Sequence, residues 1–318
     1  MVPVKHAEAS APAKIILFGE HAVVYGQPAL AAPLSTVRAY ARVMPAPAGT
    51  GLTLEASDLG ERLTLKASDL APNHPIARAA ALCLTALGIV DVDLSLKLTS
   101  QIPIASGLGS GAALTAALMR ALSAALDSPL PNDQLNSLVY EIERDFHGTP
   151  SGIDNTVVVY ERALFFVRGE HPTLLTVGQP FSLIVADTGV RSSTKDAVTG
   201  VRELVEAHPA EGQALLALMG AIAVEARRLI AEGSIRALGP LMLENHHLLQ
   251  RITVSSPNLD RLVDAAMAGG ALGAKLSGGG RGGNMIALCV DGDEERVSEA
   301  LQRAGAAHVL TTRIERHE

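Results

Sequence analysis

Aromatic side chains are scarce in this chain: 3% of its 318 residues, with no tryptophan at all. Because 48% of the residues are hydrophobic, the core has to be built from Leu, Ala, Val and Ile. Long runs of one charge sign are also missing, although the net charge is −7. Binding a nucleic-acid backbone needs clustered Lys and Arg, so nucleic acid is excluded as a partner; a small anion can still be held by loops and one or two cations. Cysteine is limited to Cys83 and Cys289, far apart and in apolar surroundings. They read as two buried free thiols, not as a disulfide framework. No apolar stretch reaches bilayer-spanning length, and Met1-Val2-Pro3-Val4-Lys5-His6 lacks the apolar core of a secretory signal. A cytoplasmic protein with no membrane partner is expected. The phosphate-loop pattern ending in Gly-Lys-Ser/Thr is absent too, which excludes that class of nucleotide hydrolase.

What is present is a small-residue loop. Residues 105–113 read Ala-Ser-Gly-Leu-Gly-Ser-Gly-Ala-Ala and open into an alanine-rich helical run. Glycines let backbone approach a ligand closely. The first turn of a helix offers N–H groups and the positive end of its dipole, which together suit a phosphate. A second loop, Gly278–Gly283, has five glycines in six positions. It matches the bare G-x-G-x-x-G spacing, but strand-like Asn284–Val290 follows it where a dinucleotide fingerprint needs a helix. The dinucleotide reading is rejected in favour of a loop lying close to a ligand or to another loop.

Hydrophobic periodicity predicts strands at Ala13–Gly19, Val37–Met44, near Leu52–Leu54 and Leu63–Leu65, at Leu94–Leu98, Phe181–Ala186, Ala274–Ser277, Met285–Val290 and His308–Ile314. It predicts helices at Pro75–Leu87, Gly111–Leu126, Asp133–Phe146, Thr194–Ala207, Glu211–Glu232, Ile235–Arg251, Pro257–Ala268 and Glu294–Ala304. Antiparallel strands with segregated helices fit an α+β class.

Several residues stand out against this background. Lys14 sits inside an apolar strand, where a lysine is unusual unless paired; the competing reading is an edge-strand lysine reaching solvent. On the Asp133–Phe146 helix, Glu143 falls at the edge of the apolar stripe and Glu141 on the solvent side. Asp154 follows Ser151-Gly152-Ile153, just past a helix and a proline turn. His147 reads as a helix C-terminal cation. Glu244, His246 and His247 read as a hydrated helix face, and no transition metal is assigned.

Three blocks together resemble the small-molecule kinase superfamily named for galactokinase, homoserine kinase, mevalonate kinase and phosphomevalonate kinase. They are Ala11-Pro12-Ala13-Lys14-Ile15-Ile16-Leu17-Phe18-Gly19-Glu20-His21-Ala22-Val23-Val24-Tyr25-Gly26, then Pro103–Ala113, then Lys275-Leu276-Ser277-Gly278-Gly279-Gly280-Arg281-Gly282-Gly283. The superfamily's His-Gly-x-Pro-Ser-Gly-x-Asp segment is matched at His147–Asp154. Val23-Val24-Tyr25-Gly26 sides with the mevalonate kinase branch over galactokinases, which usually carry Thr-Asp-Tyr there.

The resemblance implies a two-domain α+β fold: an N-terminal domain like the second domain of ribosomal protein S5, over 1–180, and a ferredoxin-like C-terminal domain, over 181–318. It implies ATP and Mg²⁺, with mevalonate as the acceptor on the route to isoprenoids, and a homodimer. Pro103, Ala105, Ser106, Gly107, Leu108, Gly109, Ser110, Gly111 and Ala112 would wrap the triphosphate. Ser110 and Glu143 would hold Mg²⁺. Asp154 would face the accepting hydroxyl with Lys14 near it, and Glu20, His21, Gly278 and Gly279 would meet the acceptor. Two departures are visible. Many relatives carry Ser-Ser where this chain has Ser110-Gly111, and many carry glycine at Arg281. The alternatives are a sibling kinase acting on phosphomevalonate, galactose or homoserine, or a non-catalytic ATP-binding relative.

Overall fold

The computed structural model describes residues 3–56, 61–65, 74–103, 107–147 and 150–316, with backbone only at 61–65 and 146–147. Ala105 and Ser106 of the small-residue loop lie outside the described residues, as do Gly148 and Thr149. The chain divides into two compact units. One comprises Met1–Ala13, Val37–Pro103 and Gly109–Glu161; the other comprises Lys14–Thr36, Ile104–Leu108 and Arg162–Glu318.

Elements of the first unit, in chain order, are β1 (Ala7–Phe18), β2 (Ala29–Pro45), β3 (Leu52–Ala56), β4 (Glu61–Leu65), α1 (Pro75–Ala86), β5 (Leu94–Ser100), α2 (Ser110–Ala125), α3 (Asn132–His147) and α4 (Ile153–Tyr160). The unit boundary falls within β1 and β2, which contribute residues to both units. In the first unit β2 pairs antiparallel with β5, with Ala39 opposite Ser100 and Pro45 opposite Leu94. β5 runs parallel to β3, which pairs antiparallel with β4. Alternation in β3 and β5 buries Leu52, Leu54, Leu94, Leu96 and Leu98, the one-sided pattern of a half-covered sheet. The helices pack by small residues: Ala112, Ala113, Ala116, Ala117 and Ala121 of α2 are buried with Leu118 and Leu122. Cys83 is a buried free thiol on α1.

Among the elements that differ from the sequence-based expectation are β2 and α4. β2 begins at Ala29, eight residues before the predicted Val37. Its first half, Ala-Leu-Ala-Ala-Pro-Leu-Ser-Thr, lacks β-branched alternation and includes Pro33, and it is strand because its surroundings bury it. α4 occupies a segment for which periodicity predicts no element. Its Val157-Val158-Val159 run has low intrinsic helix preference, and its packing against α2 and α3 decides the matter.

The second unit adds β6 (Leu164–Phe166), β7 (Thr173–Leu174), β8 (Phe181–Asp187), α5 (Thr194–Ala207), α6 (Pro209–Glu232), α7 (Leu238–Arg251), α8 (Pro257–Ala268), β9 (Gly273–Ser277), β10 (Asn284–Cys289), α9 (Glu294–Arg303) and β11 (His308–Ile314). β6 pairs with Ala29–Ala31 of β2 and with β7. The four remaining strands form an antiparallel sheet in the order β11-β8-β10-β9. Strand, helices, two strands, helix, strand in that spatial order is the ferredoxin-like arrangement. Its central strands β8 and β10 are buried from end to end apart from Asp187, and Cys289 on β10 is the second buried free thiol. α8 starts as the sequence indicates, with Ser256 accepting from the Leu259 N–H at 3.4 Å and Pro257 at its first position.

Candidate active site

In the second unit, β1 delivers the conspicuous residues. Lys14 is 4% exposed, which rules out the solvent-seeking edge lysine. Its backbone N–H donates to the Leu108 carbonyl at 2.9 Å, tying the strand to the small-residue loop. After Phe18 the chain turns at Gly19 with φ 90°; a Cβ there would sit 2.6 Å from the Ala29 Cα, so no side chain fits. That turn carries Glu20 and His21 into the interior, at 2% and 6% exposure.

Glu20 meets Lys275 of β9. The Lys275 Nζ donates to Glu20 Oε1, and it donates again to the Leu276 carbonyl at 2.6 Å. Both side chains are almost wholly buried. Burial pushes the Glu20 carboxyl upward against the opposing charges of Lys275 and Lys14. Burial likewise pushes the Lys275 ammonium downward against the charge of Glu20. Glu20 Oε2 is buried and makes no hydrogen bond among the described residues. No role was expected of Lys275, although it satisfies the same criterion that singled out Lys14: a lysine inside an apolar strand.

His21 sits at φ 59°, and its Nε2 lies 3.0 Å from the Gly279 carbonyl, to which it can donate. Burial lowers its pKa to about 4, opposed by the Gly279 bond and reinforced by the charge of Arg281. The imidazole is therefore neutral near pH 7. The Gly278–Gly283 segment joins β9 to β10 as a hairpin loop. A Cβ on Gly278 would lie 3.5 Å from the Gly107 carbonyl, so the two glycine loops approach each other backbone to backbone. Arg281 is directed away from this contact. Its guanidinium donates to the carbonyls of Thr253 and Asp196, each at 3.4 Å, and its own N–H donates to the Val254 carbonyl at 2.6 Å.

His246 corrects the expectation of a hydrated helix face. Glu244 and His247 are exposed, but His246 is 3% exposed. Its Nδ1 accepts the Leu276 N–H at 3.3 Å, so the ring proton is on Nε2, which reaches Asp260 Oδ1 at 3.1 Å. Met242, Asn245, His246 and Leu249 are all buried at helical spacing, which makes His246 part of the stripe that covers β9.

In the first unit, α2 begins after Gly109, at φ 75°, with no side chain capping it. Ser110 is half-buried, Gly111 exposed and Ala112 buried. Glu143 of α3 faces this turn: a Cβ on Gly111 would lie 3.1 Å from Glu143 Oε1. Glu141 turns the other way and pairs with Arg78 of α1 at 2.9 Å, half-buried and not on the open solvent side. Asp154 is the second residue of α4, half-buried, following Gly152 at φ 92°. The His147 side chain lies outside what is described.

No group of three His, Cys, Asp or Glu among the described residues could hold a metal unaided. One carboxylate at an uncapped helix N-terminus, with room left open by Gly111, suits Mg²⁺ that arrives with phosphate oxygens and water. The residues present therefore fit a magnesium nucleotide. Among the described residues no helix is long and apolar enough to cross a membrane.

A small-residue loop opening a helix, a carboxylate facing that turn, and a Gly-Glu-His turn beside a second glycine loop define a small-molecule kinase. The family descriptions agree: the GHMP kinases N terminal domain matches residues 74–162 and the GHMP kinases C terminal region matches residues 226–307. Mevalonate kinase of Pyrococcus abyssi is 36% identical over 95% of this chain and 94% of its own length. The crystal structure of L. major mevalonate kinase in complex with R-mevalonate superposes with a TM-score of 0.85 at 28% identity, covering 99% of this chain and 97% of that one. Methanococcus jannaschii mevalonate kinase gives a TM-score of 0.85 at 25% identity, covering 99% of each chain. This chain belongs to the mevalonate kinase family of the GHMP kinases.

Proposed function

We propose that the chain transfers the γ-phosphoryl group of ATP to the 5-hydroxyl of mevalonate, giving 5-phosphomevalonate and ADP. The observation that carries this reading is its likeness, along essentially the whole chain, to a mevalonate kinase crystallised with R-mevalonate. The hydroxyl oxygen forms a bond to the γ-phosphorus, the bond from that phosphorus to the β,γ-bridging oxygen breaks, and the hydroxyl proton leaves.

Phosphoryl transfer asks a protein mainly for positioning and for neutralisation of charge. In this reading the segment 103–112 and the first N–H groups of α2 hold the triphosphate. Glu143 and Ser110 hold Mg²⁺, which when bound screens the phosphate charge. Gly111 supplies no hydroxyl, so Ser110 or water takes the place of a second loop serine. Lys14 supplies a positive charge for the transferring group. Asp154 accepts or orients the hydroxyl proton. Glu20, His21, Gly278 and Gly279 receive the acceptor, with Lys275 keeping Glu20 in place. Arg281 is assigned to the packing of its own loop, since its guanidinium is engaged by backbone carbonyls.

The test is ADP release by the purified chain with Mg-ATP and a panel of mevalonate, phosphomevalonate, galactose and homoserine. Turnover with mevalonate alone is expected. Turnover confined to another acceptor would overturn the substrate. ATP binding without turnover on any acceptor would leave a non-catalytic binding protein.

A further inference from the structure

The Glu20–Lys275 pair is incomplete as a structural device. A buried ion pair is sustained when the remaining lone pairs and protons find partners; otherwise desolvation of the charges outweighs their attraction. Here one carboxylate oxygen is occupied and the other is not. Glu20 Oε1 accepts from Lys275, whereas Oε2 is buried with no hydrogen-bond partner among the described residues. A buried unsatisfied carboxylate oxygen is costly, and such costs concentrate where a ligand completes the shell.

The lysine side of the pair is, by contrast, held firmly. Lys275 lies in β9 opposite Ile286 of β10, and its Nζ is fixed a second time by the Leu276 carbonyl. The next two residues are pinned on the strand's outer edge: the Leu276 N–H by His246, and Ser277 by both backbone groups of Ile16. The His246 ring is itself held by Asp260, which also receives the Ser255 hydroxyl at 2.5 Å. The ammonium lies 5.9 Å from the centre of the Phe18 ring, two residues before Glu20. A firmly held cation thus grips one edge of a carboxylate and leaves the other, buried edge without a hydrogen bond among the described residues.

We propose that Lys275 is a positioning residue for the acceptor: by occupying Oε1 it keeps the Glu20 side chain turned so that Oε2 receives a hydroxyl of the acceptor substrate. This rests on the kinase reading above and deepens it, because the lysine acts on the acceptor only through Glu20. With Lys275 replaced by Met, an unpaired Glu20 takes up a proton or rotates, and the acceptor loses a charge-assisted hydrogen bond. The nucleotide loses nothing.

Steady-state kinetics of the full chain with mevalonate and Mg-ATP separate the possibilities. Lys275→Met is expected to raise the mevalonate KM about tenfold to a hundredfold, the range for a hydrogen bond to a charged group, with the ATP KM within about twofold of wild type. Glu20→Gln is expected to raise the mevalonate KM similarly. Adding Lys275→Met to Glu20→Gln is expected to change it by less than about twofold, since the lysine then has no carboxylate to position. The double variant buries no unpaired charge, so this comparison stands even if Lys275→Met alone fails to fold. A mevalonate KM unchanged in Lys275→Met overturns the inference, as does a penalty that multiplies in the double variant. In both cases wild-type turnover leaves the kinase reading intact. Absence of turnover by the wild-type chain overturns the kinase reading, and this one with it.

Discussion

One hydroxyl closes both backbone polar groups of a buried strand residue: Ser277 Oγ accepts the Ile16 N–H at 3.0 Å and donates to the Ile16 carbonyl at 2.9 Å. Ile16 lies two residues after Lys14 and Ser277 two residues after Lys275, so this clamp ties together the two strands that carry the site lysines. Removing the hydroxyl orphans a buried donor and a buried acceptor. Ser277→Ala is expected to cost at least about 1–3 kcal/mol, read as a lower urea midpoint at constant m-value. A loss below about 0.5 kcal/mol, the scale of an ordinary surface substitution, would show that water replaces the hydroxyl without penalty.

Gly111 sets stability against function. It is the second residue of α2, where glycine is a poor helix former, yet a Cβ at this position would stand 3.1 Å from Glu143 Oε1. Gly111→Ala should gain up to about 0.5–1 kcal/mol of stability from helix propensity. It should also displace the Glu143 carboxylate by a few tenths of an ångström and raise the Mg²⁺ concentration needed for half-maximal rate several-fold. Thermal unfolding of the apoprotein and a Mg²⁺ titration of activity give the two readouts. A stabilised variant with an unaltered Mg²⁺ requirement would remove Glu143 from the metal site.

Asp154 carries the proton-transfer assignment. Asp154→Asn preserves side-chain size at the start of α4 but cannot take a proton. Its kcat is expected to fall by about 100- to 10,000-fold, the usual range for a general base, with the ATP dissociation constant nearly unchanged. Retention of more than about a tenth of wild-type kcat would end the base assignment.

Much of this arrangement is legible in the sequence, because small residues before a helix and a lysine in an apolar strand each leave a local mark. The closeness of Gly278 to Gly107 is of this kind: five glycines in six positions exceed the needs of a turn. Lys275 carries the same local mark as Lys14, but its pairing is hidden. Its partner Glu20 is 255 residues away, and a pairing across that distance leaves no periodic trace. His246 is obscured by exposed Glu244 and His247 on either side, though counting from Met242 through Asn245 to Leu249 places it on the buried stripe. α4 is missed because valines that favour a strand locally are overruled by packing on α2 and α3.

His21 makes stability depend on pH in a way that isolates one residue. Its folded pKa is about 4 against 6.5 for a free imidazole, because burial disfavours the charged ring. Between those values the unfolded chain binds more protons than the folded one. The contribution of His21 is therefore complete above about pH 6.5 and is lost as pH falls toward 4. The difference amounts to about 3 kcal/mol at the acid end. His246 is also held low by burial and titrates with the same sign, so wild type alone cannot separate the two. His21→Asn does. Asparagine tolerates the φ of 59° that this position requires, and the lost bond to the Gly279 carbonyl costs the same at every pH. Urea unfolding at steps from pH 7 to pH 4 should show the wild-type chain losing about 2–3 kcal/mol more than the variant over that span. Parallel curves would mean that the imidazole takes up its proton without leaving the folded interior.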